Sequence, residues 1–293
     1  MTLHIAQNFI IMKNTIIFDS GSTKTDIRII NNNQISSVQT IGINPFYQNS
    51  EDIVGALKPC FGDKENKTEF EIYFYGAGCS FDEKKSLVHT AIAQLFPSSS
   101  IFIESDLLGA ARALFQDKSG IACILGTGTN SCLYQKGEII KNVPPLGYIL
   151  GDEGSGANLG KILVADILKG VAPMNITQRF FEEEQCSPEE IMNCVYKKSF
   201  PNRYLANFSR HIYRHINEEY FKTLTLKAFD TFFQRNILQY DQTIKNIGFI
   251  GSIAHHFSPY LEQIALQYGY NIQHILKSPM EGLISFHSPS TRN

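Results

Sequence analysis

The sequence predicts an α/β protein of two lobes built on one repeated plan. Three observations carry this. Strand-like apolar runs alternate with helical stretches. A strand, glycine turn and strand near the amino terminus return 105 positions later, so that Gly126 falls on Gly21 and Ile140 on Ile35. No low-complexity linker interrupts the 293 residues, a length suited to one large domain or two medium ones.

The elements follow in order. Ile16–Phe18 and Ile27–Ile30 read as strands around the polar turn DSGSTKT, and NNNQ (Asn31 to Gln34) leads into a third strand near Ile35–Gln39. Glu51–Cys60 reads as a helix, Phe70–Tyr75 as a strand, Glu83–Leu95 as a helix ended by Pro97, and Ile101–Ile103 as a short strand before the helix Asp106–Phe115. After the DKSG turn the pattern restarts with IACILGTGTNSCLYQKGEII. Asn158 to Lys169 and most of Pro188 to Tyr240 read as helical, Ile247–Ile250 as a late strand, and Ser258–Tyr268 and Glu281–His287 as closing helices. The expected division is a lobe of 14–117 completed by a C-terminal helix in 278–293, a second lobe of 118–277, and an extension over 1–13.

Bulk properties narrow the function. A net charge of -2 and the lack of a basic cluster argue against nucleic acid or an anionic membrane as the main partner. The opening MTLHIAQNFIIMKNT has an apolar patch without a basic leader or a small-residue cleavage site, and the patch is too short to span a bilayer. Met12 is an alternative start to Met1. The six cysteines form no Cys-x-x-Cys pair, so zinc or iron–sulfur ligation by cysteine and a disulfide framework are not expected. Reduced cysteines and a cytoplasmic location are the expectation.

Five stretches carry candidate chemistry, each with two readings. The turn Asp19–Thr25 is either a plain hairpin tip or an anion cradle of backbone N–H groups, with Asp19 at a strand end suited to a hydrated Mg²⁺. It is not a Walker loop. LGTGTN (Leu125 to Asn130) offers the same choice from the second unit. Asp106, after a strand and before a helix, is either an N-cap or a general base that accepts a proton from a substrate hydroxyl. In GDEGSG (Gly151 to Gly156) the acids either cap a helix or sit where glycines let the backbone approach a polar ligand such as a sugar. Gly251-Ser252 is either a β–α turn or a place where a flat ring lies on backbone.

In this order, DSGSTK, SD, GTGTN, GDEGS and FIGS resemble the N-acetylglucosamine kinases and the related BadF-type ATPases, members of the superfamily of actin, the heat-shock chaperones and hexokinase. The likeness runs from about Ile16 to Ile284. It implies two ribonuclease-H-like lobes with ATP and Mg²⁺ in the cleft between them. It further implies ATP contacts from Gly21, Ser22, Thr23 and Lys24, from Gly126, Thr127 and Gly128, and from Gly251 and Ser252 on the adenosine side. Asp19 is then the metal-side acid, Asp106 the catalytic base and a sugar ligand, and Asn44, Thr129, Asn130, Gly147 and Asp152 further sugar contacts.

The acceptor implied is a small amino sugar such as N-acetylglucosamine, with a homodimer as a further possibility. Two departures fall near the expected sugar: Pro45-Phe46 stands where the family often has a tryptophan, and Pro145 where a glycine is common. The alternative within the resemblance is a BadF-type ATPase that activates an acyl-CoA dehydratase or reductase through a cysteine-bridged iron–sulfur cluster. A non-enzymatic nucleotide-binding regulator would require the loss of Asp19 or Asp106, and both are present.

Overall fold

The computed structural model describes residues 14–287 apart from 22, 32–33 and 63–68. The expected extension over 1–13, the phosphate-loop assignment of Ser22 and the chain beyond His287 therefore lie outside the described residues. The chain divides into two compact units, one running up to Ala113 and resumed at Pro279, the other Leu114–Ser278.

The first unit is built on a five-stranded mixed sheet. Strands β1 (Thr15–Ser20), β2 (Lys24–Asn31), β3 (Gln34–Ile41), β4 (Glu71–Gly76) and β5 (Ser100–Ser105) take the order β3-β2-β1-β4-β5. The β1–β2 and β2–β3 pairs are antiparallel; β1–β4 and β4–β5 are parallel. Period-2 alternation explains the layering. Ile16, Phe18, Ile27, Ile29, Ile72 and Phe74 turn to one face and pack with α1 (Ser50–Leu57) and α2 (Asp82–Leu95), which contribute Ile53, Leu57, Val88 and Ile92. On the other face Tyr73 and Tyr75 meet α13 (Met280–His287): the His287 ring stacks on Tyr73, and its Nε2 lies 2.8 Å from the Tyr75 hydroxyl. Helix α3 (Asp106–Phe115) passes so near that a Cβ on Gly109 would lie 2.7 Å from the Tyr75 ring.

The second unit repeats the sheet. Strands β6 (Gly120–Leu125), β7 (Thr129–Gln135), β8 (Glu138–Val143), β9 (Asn246–Ile250) and β10 (Asn271–Leu276) follow the order β10-β9-β6-β7-β8. The pairing repeats as well, antiparallel for β6–β7 and β7–β8 and parallel for β6–β9 and β9–β10. Gly120–Leu125 is Thr15–Ser20 displaced by 105 positions, so the repeat read in the sequence is a repeat of strands. Both sheets are thus the mixed, ribonuclease-H-like arrangement that the family resemblance implied. Its core is phenylalanine-rich: Phe180, Phe221, Phe229, Phe232, Phe233, Phe249 and Phe257 are all buried there.

Helices α4 (Gly147–Leu150), α5 (Gly156–Leu168), α6 (Met174–Glu184), α7 (Pro188–Tyr196), α8 (Pro201–Asn207), α9 (Ser209–Arg214), α10 (Glu219–Arg235), α11 (Ser252–His256) and α12 (Ser258–Gln267) complete the second unit. The helical stretch expected from Pro188 is therefore several helices, broken for example at Phe200, whose φ of 58° stops the chain before Pro201. Strand β10 and helices α4 and α6 have no counterpart in the sequence reading. Asn271–Leu276 is an edge strand with mostly exposed or half-exposed side chains, so it carries no apolar run; its parallel ladder with β9 defines it instead. Among the described residues no helix is long and apolar enough to cross a membrane.

Candidate active site

In the first unit, hairpin pairing puts Asp19 directly opposite Asp26 on β1 and β2, and directly opposite residues of an antiparallel pair share a sheet face. Asp26 is buried and doubly held, by Lys24 Nζ at 2.6 Å and by a hydrogen bond from the Gln39 amide. Lys24 is thereby anchored on Asp26 rather than left as a free cation. Burial pushes the Asp19 carboxyl up to about 7; the charges of Asp26 and Asp106 add to the rise and Lys24 opposes it. A carboxylate whose ionisation is opposed by burial and by two neighbouring acids suits a cation.

The same hairpin positions Asn44. The turn is closed by the Gly21 N–H donating to the Lys24 carbonyl (3.0 Å), and the Ser20 hydroxyl lies 2.7 Å from that of Thr25. Ser20 Oγ also donates to the Ile43 carbonyl (3.0 Å) and accepts from the Ile43 N–H (2.9 Å), tying the strand end to the segment that follows β3. Asn44 Oδ1 accepts from the Phe46 N–H at 3.0 Å. Gly78, at φ +84°, lies against it so tightly that a Cβ would sit 2.6 Å from Asn44 Oδ1.

Asp106 opens α3 where parallel strand β5 ends. The capping bond is made by its neighbour: Ser105 Oγ accepts from the Leu108 N–H at 3.2 Å. Asp106 Oδ1 accepts from the Leu107 N–H at 2.9 Å. Burial raises the Asp106 carboxyl to about 6, against the lowering effect of backbone N–H groups of Leu107 and Asp106. Such a group is ionised at neutral pH yet basic enough to take a proton.

In the second unit the turn Gly126–Gly128 joins β6 to β7 and is shorter than the first. The Gly126 N–H donates to the Gly128 carbonyl (3.0 Å). The N-terminus of α5 docks on it: the N–H groups of Gly156 and Ala157 donate to the carbonyls of Gly126 (2.9 Å) and Thr127 (3.0 Å). Among the described residues the N–H groups of Thr127 and Gly128 meet no acceptor. Two adjacent free donors in a glycine turn are the elements of an anion cradle.

Asp152 holds this turn. It is buried, has φ 57°, and its Oδ1 accepts from the Thr129 N–H at 3.1 Å. A Cβ on Gly128 would lie 3.0 Å from Asp152 Oδ2, which accounts for the glycine. Burial raises the Asp152 carboxyl, the Thr129 N–H lowers it, and Glu153 adds a smaller rise. The Asp152 N–H donates to the Pro145 carbonyl (2.9 Å), which fastens the segment bearing Gly147. Asn130 directs its Oδ1 to the Ser131 N–H (3.0 Å) and the Asn142 amide (2.9 Å). Gly251, at φ +124°, packs on the same turn: a Cβ there would lie 2.2 Å from the Leu125 carbonyl oxygen, so Ser252 starts α11 against backbone.

Of the expected residues, Asp19, Gly21, Thr23 and Lys24 share one hairpin, Asn44 follows the segment Ser20 ties to it, and Asp106 acts on Asp19; in the second unit Asp152 and Gly251 pack on the turn Gly126–Gly128, and the segment bearing Gly147 is fastened through Asp152. Sequence reasoning missed Asp26. The signal was present, because a hairpin with this turn pairs Asp19 with Asp26 by register. Glu153, adjacent to Asp152, is structural: Arg235 Nε reaches it at 2.7 Å and the Asn236 amide at 3.3 Å.

Comparison with known proteins places this arrangement. No family model matches the chain. A crystal structure from Porphyromonas gingivalis, provisionally assigned as an N-acetylglucosamine kinase, superimposes with a TM-score of 0.87 at 43% identity, covering 93% of this chain and 98% of that one. The N-acetyl-D-glucosamine kinase of Dictyostelium discoideum is 27% identical over 193 residues, and the match spans 60% of that protein's length. A Chromobacterium violaceum protein, also provisionally assigned as an N-acetylglucosamine kinase, shares the fold with a TM-score of 0.67 at 15% identity. The duplicated sheet together with these likenesses sets the chain among the sugar kinases of the actin–hexokinase superfamily. The chain belongs to the N-acetylglucosamine kinase family.

Proposed function

We propose that the protein is an ATP-dependent kinase whose acceptor is a hydroxyl of N-acetylglucosamine or a closely related amino sugar. The observation that carries the proposal is Asp106: its carboxylate stands at the head of α3, freed from capping by Ser105 and held with a pKa of about 6. In this reading Asp106 orients the acceptor hydroxyl and takes its proton as the hydroxyl oxygen bonds to the γ-phosphorus. The bond from that phosphorus to the β-phosphate bridging oxygen breaks, and ADP leaves with the electron pair.

The remaining roles divide between the two units. The free N–H groups of Thr127 and Gly128 are suited to phosphate oxygens, as is the turn Gly21–Lys24 of the first unit. Gly251 and Ser252 are assigned to the adenosine. Asn44, Thr129, Asn130, Gly147 and Asp152 are assigned to the sugar with Asp106, and Asp152 keeps the second turn rigid through the Thr129 N–H. Asp19, coupled to Asp26 and Asp106, fits a hydrated divalent cation. Mg²⁺ bound there with ATP would neutralise phosphate charge.

The activator-ATPase alternative is not favoured. The Dictyostelium discoideum relative is an N-acetyl-D-glucosamine kinase, the Porphyromonas gingivalis one is provisionally assigned as such, and Cys123 and Cys132 are buried inside β6 and β7. ADP release measured across a panel of sugars tests the proposal. N-acetylated amino sugars are expected to stimulate it strongly; hydrolysis that no amino sugar accelerates would refute it.

A further inference from the structure

A cluster in the second unit, formed by the C-terminal end of α6 and by α9, belongs to neither glycine turn. Glu183 and Glu184 end α6, while His211 and His215 stand one helical turn apart at the end of α9. His215 Nε2 lies 2.9 Å from Glu183 Oε2, and His211 Nδ1 lies 3.4 Å from Glu183 Oε2 and 3.0 Å from Glu184 Oε1. The donor atoms of Glu183, His211 and His215 all fall within 4.8 Å of one another. Around a tetrahedral zinc with bonds of about 2.0–2.2 Å, ligand atoms are separated by about 3.3–3.5 Å. The cluster is therefore within a few tenths of an ångström of that geometry for its closest pairs.

The ring of His211 is set in advance. It is fully buried, with Phe180 edge-on at 5.2 Å and Phe221 at 5.7 Å between ring centres. Its Nε2 has no hydrogen-bond partner, while Nδ1 faces two carboxylates. A proton on Nδ1 leaves a bare buried lone pair at Nε2; a proton on Nε2 turns the Nδ1 lone pair toward two anions. A cation at Nδ1 removes that repulsion.

In the structure the cationic position is shared by Arg214, whose Nη1 lies 2.6 Å from Glu183 Oε2. Its side chain is 54% exposed and is free to swing out to solvent. We propose that Glu183, His211 and His215, with Glu184 as a fourth donor, form a binding site for a borderline-soft divalent ion of the Zn²⁺ class, gated by Arg214. Two imidazoles with carboxylates are a zinc-type donor set rather than a magnesium one. Bound, the ion staples α6 to α9, apart from the residues assigned to ATP and sugar.

The test is a zinc titration of the untagged, nucleotide-free full chain against a chromophoric chelator, with Mg²⁺ in excess. Wild type is expected to take up a single equivalent that Mg²⁺ does not displace. Glu183→Gln and His215→Ala, both outside the deep core, should each weaken binding about tenfold or more. Their thermal melting in chelator should remain that of wild type, which separates lost ligation from lost folding. Arg214→Ala should tighten binding, because it removes the competing cation and leaves every ligand in place. No uptake by wild type, or equal uptake by wild type and the Glu183→Gln/His215→Ala double variant, would overturn the proposal.

Discussion

Asp19 and Asp26 face each other across the β1–β2 hairpin, one half-exposed at the strand end and the other buried beneath Lys24 and Gln39. The charge of the buried partner adds to the rise that burial imposes on Asp19. Replacing Asp26 with Asn is expected to lower the Asp19 pKa from about 7, because it removes a negative charge that opposes ionisation. Carboxyl-carbon NMR titration of the nucleotide-free protein reads this directly. An unchanged Asp19 titration would show that burial alone sets it.

Asp106 is predicted to carry turnover without carrying nucleotide affinity. Asp106→Asn should lower kcat by about 10²–10⁴-fold and leave the ATP dissociation constant close to that of wild type. In the wild type, kcat/KM should fall as pH drops below about 6, where the carboxyl takes up its proton. Steady-state rates between pH 5 and 8 and a fluorescent-nucleotide titration check both statements.

The same residue makes an opposite prediction for stability. The folded chain holds the Asp106 proton up to about 6, whereas an unfolded Asp loses it near 4, so the folded state binds more protons in that window. Stability is lost as pH rises between those values, and the loss is complete above the folded pKa. Asp106→Asn should therefore be more stable than wild type at pH 8, by on the order of 1–3 kcal/mol, with the advantage vanishing near pH 4. Denaturant melts at the two pH values decide the sign.

Two glycines are predicted to fail differently. Gly251→Ala meets the Leu125 carbonyl at 2.2 Å with φ +124°, so the cost should be about 3 kcal/mol or more, seen as a lowered Tm or insoluble protein. Gly128→Ala meets only the Asp152 carboxylate, at 3.0 Å. The folded protein should survive that change while kcat/KM drops roughly 10–100-fold as the Thr129–Asp152 contact is displaced.

The first turn was legible because alternating strands and a glycine turn have strong local signals. Its echo at Gly126 was legible because the repeat preserves spacing. Asp106 could be named from the sequence as cap or base, with the family resemblance implying the base; that Ser105 takes the capping bond was not legible, because adjacent Ser and Asp are both good caps. Asp152 stood out as an acid among glycines and, through the family resemblance, as a sugar contact; its grip on Thr129 spans 23 positions and has no local trace. Strand β10 was hidden because an edge strand has no buried apolar run, and the histidine–glutamate cluster because it joins two helices distant in sequence.

The most direct test follows the phosphoryl group itself. Phosphorus NMR of the protein with ATP, Mg²⁺ and N-acetylglucosamine should show a sugar phosphate monoester growing in step with ADP, and neither product at a comparable rate with Asp106→Asn. Inorganic phosphate as the sole product, or monoester formed equally well by Asp106→Asn, would contradict the account.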